Sequence, residues 1–266
     1  MVKLGVTRTT LALLTLVLFA AGCSNDNTNA TTSPPTFTPN AVVTYDALKA
    51  ALIAARNENN GGFNLDMWGT VIDRNGVVVA VAFTGATEGS QWPGSRVISA
   101  QKANTANSFS LPQLALSTAN LFAATQPGGS LFGLQEANPT NEDVAYGGKT
   151  SDYGTTSDYM VGKRIGGTNV FGGGLALYSS DGTLLGALGV SGDASCADHN
   201  IAWRVRHTLN LDNVPGGVAD GGLDDNIIYD ITNGQSASGF GHPECFAAST
   251  EISNSLPTIA PIGPNP

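Results

Sequence analysis

Two tight turns, each set between short apolar runs and each leading on to a helix, restrict this chain more than any other feature. Asp73-Arg74-Asn75-Gly76 joins residues 65–72 to 77–83, and Ser179-Ser180-Asp181-Gly182 joins 175–178 to 183–190. Asn-Gly and Asp-Gly between β-branched or apolar runs are strong local signals for a β-hairpin. An alanine-rich helix is expected over about 96–107 and another over about 195–209. A further helix precedes the first hairpin. Thr44 can cap a run in which Leu48, Leu52 and Ile53 recur at helical spacing, and Asn59-Asn60-Gly61-Gly62 ends it. The order helix, hairpin, helix, hairpin, helix predicts an α+β fold, an antiparallel sheet of two hairpins with packed helices. Hairpins argue against a doubly wound parallel sheet.

Between these units the periodicity fades. A short helix is expected near 114–124, ended by Pro127-Gly128-Gly129. The long insertion at about 126–172 carries Gly147-Gly148, Gly166-Gly167 and the tyrosines Tyr146, Tyr153 and Tyr159. Segments of this kind serve either as lids or as surface and subunit-contact arms. Beyond residue 212 the chain is rich in Gly and Asp, with one strand-like run at 227–231. The tail after Ser253 holds Pro257, Pro261, Pro264 and Pro266 and is expected to be extended.

The first 22 residues read as a signal. Lys3 and Arg8 precede an apolar run at 11–20, and Ala20-Ala21-Gly22 leads into Cys23. The run is too short to span a bilayer, which needs about 20 residues. The pattern resembles bacterial lipoprotein signals, in which the cysteine is lipidated and becomes the first mature residue. Ser24 after it, by the same resemblance, favours the outer membrane, facing the periplasm. The alternative is plain secretion. Residues 23–40, rich in Asn, Thr and Pro, are expected to be a disordered tether. A domain over 41–212 and a loop-rich extension over 213–266 follow. Removing residues 1–22 takes away two positive charges and carries the net charge from −9 to −11. An acidic surface repels nucleic acid and anionic lipid headgroups, so contact with the membrane is expected through the lipid anchor only.

Reactive side chains concentrate on the last expected helix. Cys196, His199, Trp203 and His207 share one face at about 100° per residue, with Arg206 at its edge. Such a face can hold a planar anionic ligand, with His199 on iron, Trp203 stacking and Arg206 pairing with a carboxylate. The alternative is a buried polar face whose His and Arg bond to the C-terminal extension. Cys196 and Cys245 form an isolated pair, which outside the cytoplasm reads as a disulfide. Closing that loop stabilises a fold by about 4 kcal/mol in the chain-entropy model. Unbridged, Cys196, Cys245, His199 and His242 have the ligand types of a structural zinc site. Lys102, on the alanine-lined helix, can bind a carboxylate or keep its head in water. Gly189 and Gly192 precede a helix N-terminus that favours an anion. Their spacing fits neither a Walker loop nor a dinucleotide fingerprint, and Ser191 lies in no nucleophile elbow.

The run Val71-Ile72-Asp73-Arg74-Asn75-Gly76, the helix start Ser99-Ala100-Gln101-Lys102-Ala103, the entry Gly173-Gly174-Leu175 and Leu188-Gly189-Val190-Ser191-Gly192 occur in an order that resembles the GlcG/HbpS-like family. The likeness covers roughly residues 45–209, interrupted by the insertion. It implies a profilin-like or PAS-like fold, frequent assembly into homo-oligomers, and haem or a related small ligand in some members. The insertion, the cysteine pair and the C-terminal extension depart from the compact family pattern. Three functions stay open. The first is a lipid-anchored ligand-binding protein, with a pocket built from Lys102, Gly189, Gly192, His199, Trp203 and Arg206. The second is an enzyme acting on a small carboxylated metabolite, with His199 as general base. The third is a structural oligomer of the envelope.

Overall fold

The computed structural model describes residues 33–263. The expected signal and Cys23 lie outside them. Of the stretch expected to be a tether, Phe37 donates its N–H to the Gly162 carbonyl, and Asn40 donates to the Asp73 carboxylate at 2.9 Å.

Helix α1, Tyr45–Asn57, starts where the Thr44 hydroxyl accepts the Ala47 N–H and buries Leu48, Ala51, Leu52 and Ala55. The first hairpin is β1, Trp68–Asp73, and β2, Val78–Phe83. Its turn is tied by Asp73, whose side chain accepts the N–H groups of Asn75 and Val77. Helix α2, Ser95–Phe109, follows. The expected helix at 114–124 is shorter than its pattern. A 3₁₀ turn, Thr118–Leu121, runs into a single α turn, α3, Phe122–Thr125. In the insertion, α4 and α5 are single turns at Leu134–Ala137 and Glu142–Ala145. The second hairpin is β3, Gly174–Tyr178, and β4, Leu184–Ser191, leading into α6, Ser195–Thr208.

The four strands form one antiparallel sheet in the order β2-β1-β4-β3. Alternate side chains point to opposite faces. Val71, Leu188, Val190, Leu175 and Leu177 join a core with α1 and α6, while Trp68, Ile72, Val81 and Ala187 join one with α2. Gly189 explains how close α2 comes, because a Cβ there would collide with the Ser99 carbonyl. Gly174, its cross-strand partner, passes the Lys102 backbone in the same way. The small residues Ala100, Ala103 and Ala106 of α2 join the core with Trp68, Ile72 and Ala187, and the Ala103 backbone lies beside Gly189.

The insertion folds back onto its own domain. Val144, Ala145, Met160 and Ile165 complete the α2-side core. Arg96 of α2 forms a buried two-pronged pair with Asp158, donates to the Ala145 carbonyl at 2.7 Å and lies 3.6 Å from the Tyr153 ring centre.

The tail departs from expectation. Instead of an extended run, α7 spans Ala247–Ile259 and continues through Pro257. Proline removes the N–H that would reach the Ser253 carbonyl. Asn226 supplies a donor there, its Nδ2 lying 2.9 Å from that oxygen. The strand-like run at 227–231 contributes only its last residue to the small hairpin of β5, Ile231–Thr232, and β6, Gln235–Ser236.

Candidate functional site

Helix α6 is buried on almost every side, because the C-terminal extension covers the face that the sheet does not. Its reactive residues are held there by partners. Arg206 forms a two-pronged ion pair with Asp225 at 2.8 Å for each contact and also donates to the Ala176 carbonyl. Trp203 donates its indole N–H to the Ala260 carbonyl at 2.8 Å and packs in the α1-side core. His207 Nδ1 lies 2.7 Å from Asp212.

His199 is fully enclosed. Its Nε2 lies 3.1 Å from Asn226 Oδ1 and 3.2 Å from the Ile227 N–H, while Nδ1 has no partner among the described residues. Burial pushes its pKa down to about 4, against the pull of Asp225 and Asn226, so the ring is neutral.

Lys102 reaches through the sheet edge to Asp198 at 2.7 Å and to the Val190 carbonyl at 3.1 Å. Burial raises the Asp198 carboxyl to about 6 despite the lysine. The backbone donors just before α6 are committed too. Asp193 accepts the N–H of Ala194, and Asp198 accepts that of Asp193. Gly192 sits where a Cβ would collide with the Asp66 carbonyl.

Lys102, Gly192, His199, Trp203 and Arg206 are thus gathered around the ends and faces of α6, engaged in its packing, whereas Gly189 packs against α2. The arrangement is the buried polar face bonded to the extension. Arg206 carries a buried charge already matched by Asp225, and a ligand carboxylate would have to displace that partner at a desolvation cost.

Cys196 and Cys245 are joined in a disulfide. With both sulfurs used, the zinc arrangement is not formed, and no cluster of metal-ligand residues occurs among the described residues. His242 stands beside the bridge. Its Nδ1 is 2.7 Å from the Pro243 carbonyl and its Nε2 is 3.3 Å from Ser195 Oγ. A serine beside an imidazole is a possible nucleophile pair, yet His242 is 2 % exposed. Burial also pushes its pKa down to about 4, which makes it a weak base.

Open space lies elsewhere. A cleft of about 590 Å³ separates α3 and the 126–130 loop from the β5–β6 hairpin and Pro243. Phe122, Pro127, Ile231 and Pro243 give it apolar walls, and Gln126, Ser130, Gln235 and Ser236 give it amides and hydroxyls. Phe122 is centred 5.1 Å from the His242 ring and 6.1 Å from Phe171, which is exposed. A second pocket of about 370 Å³ lies where α1 ends. Sequence reasoning missed the cleft because its walls come from the insertion and the extension, where no periodicity aligns them.

No curated protein matches the chain. Among solved structures, the Klebsiella pneumoniae protein ORFY is similar at 24% identity over 63% of this chain and 90% of that one, with a TM-score of 0.42. PduOC, solved as a haem complex, is similar at 21% identity over 62% of this chain and 91% of that one, with a TM-score of 0.44. HbpS is similar at 17% identity over 64% of this chain and 91% of that one, with a TM-score of 0.37. The family model described as haem degrading protein HbpS-like matches residues 43–206, which is more than half of the chain and runs from the start of α1 almost to the end of α6. The chain belongs to the HbpS-like family.

Proposed function

We propose that this protein is a small-ligand-binding member of its family, displayed on the cell envelope by a lipid on Cys23, and that its ligand lies in the cleft beside α3. The observation that carries this reading is the cleft itself. Its volume of about 590 Å³ falls within the roughly 300–1,000 Å³ of small-molecule sites, and it combines apolar walls with a few amides and hydroxyls. No Lys, Arg, Asp or Glu lines it, so the ligand it suits is flat and uncharged.

The family description brings haem into question. Haem iron needs an axial ligand, supplied most often by histidine. Neither His199, His207 nor His242 lines the cleft, and His199 and His242 are enclosed. No cation lines it to meet the propionates. The residues of this chain therefore do not fit an iron-ligated haem, either in the cleft or on α6.

A thermal-shift screen of lumichrome, simple pterins and indole tests the reading on wild type and on Ser130→Trp and Gln235→Trp, which fill the cleft from opposite walls. The expected result is stabilisation of wild type by at least one probe and its loss in both variants. Stabilisation that survives both, or none at all, overturns it. For the anchor, Cys23→Ser is expected to abolish incorporation of labelled palmitate and to release the protein from membranes. Retained labelling would contradict the lipoprotein reading.

A further inference from the structure

The pocket where α1 ends has a different chemistry from the cleft, and it begins with four successive residues of small or amide type. After Glu58 leaves the helix, Asn60 turns back and donates Nδ2 to the carbonyls of Ala55 and Glu58, both at 2.9 Å. The Ala55 carbonyl also accepts the Glu58 N–H, so the amide adds a second bond to the helix end. The two Nδ2 bonds also fix the amide's orientation, since the flipped group would set oxygen against oxygen. Asn60 Oδ1 is left without a donor, although the residue is only 8 % exposed. Leaving a buried acceptor unpaired costs about 1–3 kcal/mol.

The loop that follows is held on both sides. A Cβ on Gly61, whose φ is +74°, would collide with the Ser249 backbone, so the loop presses on the first turn of α7. On the other side the Asp193 carboxylate accepts the N–H groups of Phe63 and Leu65 at 2.8 and 3.1 Å. The walls are set before anything enters, which lowers the ordering cost of binding.

The cationic charge in the pocket is already spent. Arg56, the one cation among its lining residues, is ion-paired with Asp66 at 3.2 Å and donates to the Asn64 carbonyl. Asp193 is engaged as described. What faces solvent is the Glu58 carboxylate, which repels anions, and the amides of Asn57, Asn59 and Asn64, planar groups whose paired donors and acceptors suit neighbouring hydroxyls. Phe63, between lining residues Gly62 and Asn64, is 60 % exposed and meets Phe246 edge-on at 5.1 Å. An aromatic ring held at its edge keeps a face free for the C–H side of a flat ligand.

We propose that this pocket is a second binding site, independent of the cleft beside α3, and that it takes an uncharged saccharide. The exposed amides of Asn57, Asn59 and Asn64 and the exposed Phe63 ring next to them in the chain are the parts such a ligand uses, and the volume of about 370 Å³ admits a mono- or disaccharide unit. Phosphate or sulfate esters find no unpaired cation among the lining residues.

Saturation-transfer NMR and titration calorimetry on the purified protein test this, with maltotriose, cellotriose and chitotriose as neutral probes and a sulfated trisaccharide as the anionic one. Saturable binding of at least one neutral probe is expected. It should weaken at least about tenfold, or 1.4 kcal/mol, in Phe63→Ala and in Asn59→Ala, both exposed positions. Melting temperatures of these variants should stay at the wild-type value. Ser130→Trp, which blocks only the other cleft, should leave binding unchanged. Absence of binding by every neutral probe, binding that survives both substitutions, or preference for the sulfated probe would each overturn the proposal.

Discussion

The polar face of α6 and the cleft beside α3 are built from opposite ingredients, although Pro243 of the cleft wall lies two residues from the disulfide that ties the extension to α6. The first collects histidine, arginine, lysine, tryptophan and cysteine, and the fold closes over all of them but the partly exposed His207. The second is made of glycine, glutamine, serine, proline and one phenylalanine, and it stays open. Reactive residue types mark a site only when something leaves them without a partner. Around α6 the charged groups of the sequence-predicted site have one: Asp225 for Arg206, Asp198 for Lys102 of α2, Asp212 for His207. The closed region should therefore answer to substitution with stability, and the open regions with binding.

The largest effect is expected at Arg206–Asp225, where both side chains are fully buried. Asp225→Ala should cost about 3–5 kcal/mol in urea unfolding, because it strands the guanidinium. Replacing both residues by Leu and Met should cost much less. If the single and double variants are equally damaging, the pair is not what closes this face.

The disulfide comes next. It closes a loop of 49 residues, and Cys196→Ser with Cys245→Ser should lower stability by about 2–4 kcal/mol. An unchanged melting temperature under reducing conditions would show that the extension holds to α6 without it.

Acid should open the same region. His199 and His242 have folded pKa values near 4, below the ordinary 6.5, so the unfolded chain binds more protons between those limits. Their stabilisation is complete above about pH 6.5 and is lost as the pH falls towards 4. Asp198, raised to about 6, works the other way and loses its smaller contribution as the pH rises from 4 to 6. The two histidine shifts together exceed that of Asp198, so for these three groups acidification brings a net loss of stability. Melting curves from pH 7 to 4 check the sign, and a rise in stability would contradict it.

The hairpins and the helices around them were legible because their signals are local. Asn75-Gly76, Asp181-Gly182 and the spacing of Leu48 and Leu52 each act within a few residues. The tail was misread for the opposite reason. Pro257 breaks a helix unless a donor from elsewhere reaches the Ser253 carbonyl, and that donor, Asn226, lies 27 residues away. The same limit applies to α6. His199 and Arg206 meet Asn226 and Asp225, whereas Trp203 turns to the α1-side core and Ala260, and these partners come from a region with no pattern to position them. The pairing of Cys196 with Cys245 was readable from composition, since two cysteines remain once Cys23 is set aside.

The smallest effects on stability belong to the open regions. Gln235→Trp and Phe63→Ala, at exposed positions, should each stay within about 0.5 kcal/mol of wild type in urea unfolding while changing what binds. A large loss of stability at either would mean that the open regions are packing too.

One measurement separates the two regions most directly: an absorbance titration of haem into the intact protein and into His199→Gln, with folding of the variant checked by circular dichroism. If α6 is closed as described, the two proteins give the same spectra, with no saturable Soret shift that depends on His199. A saturable shift in wild type that is lost in a folded His199→Gln would show that α6 opens to a ligand, and would contradict the assignment of its polar face to the interior.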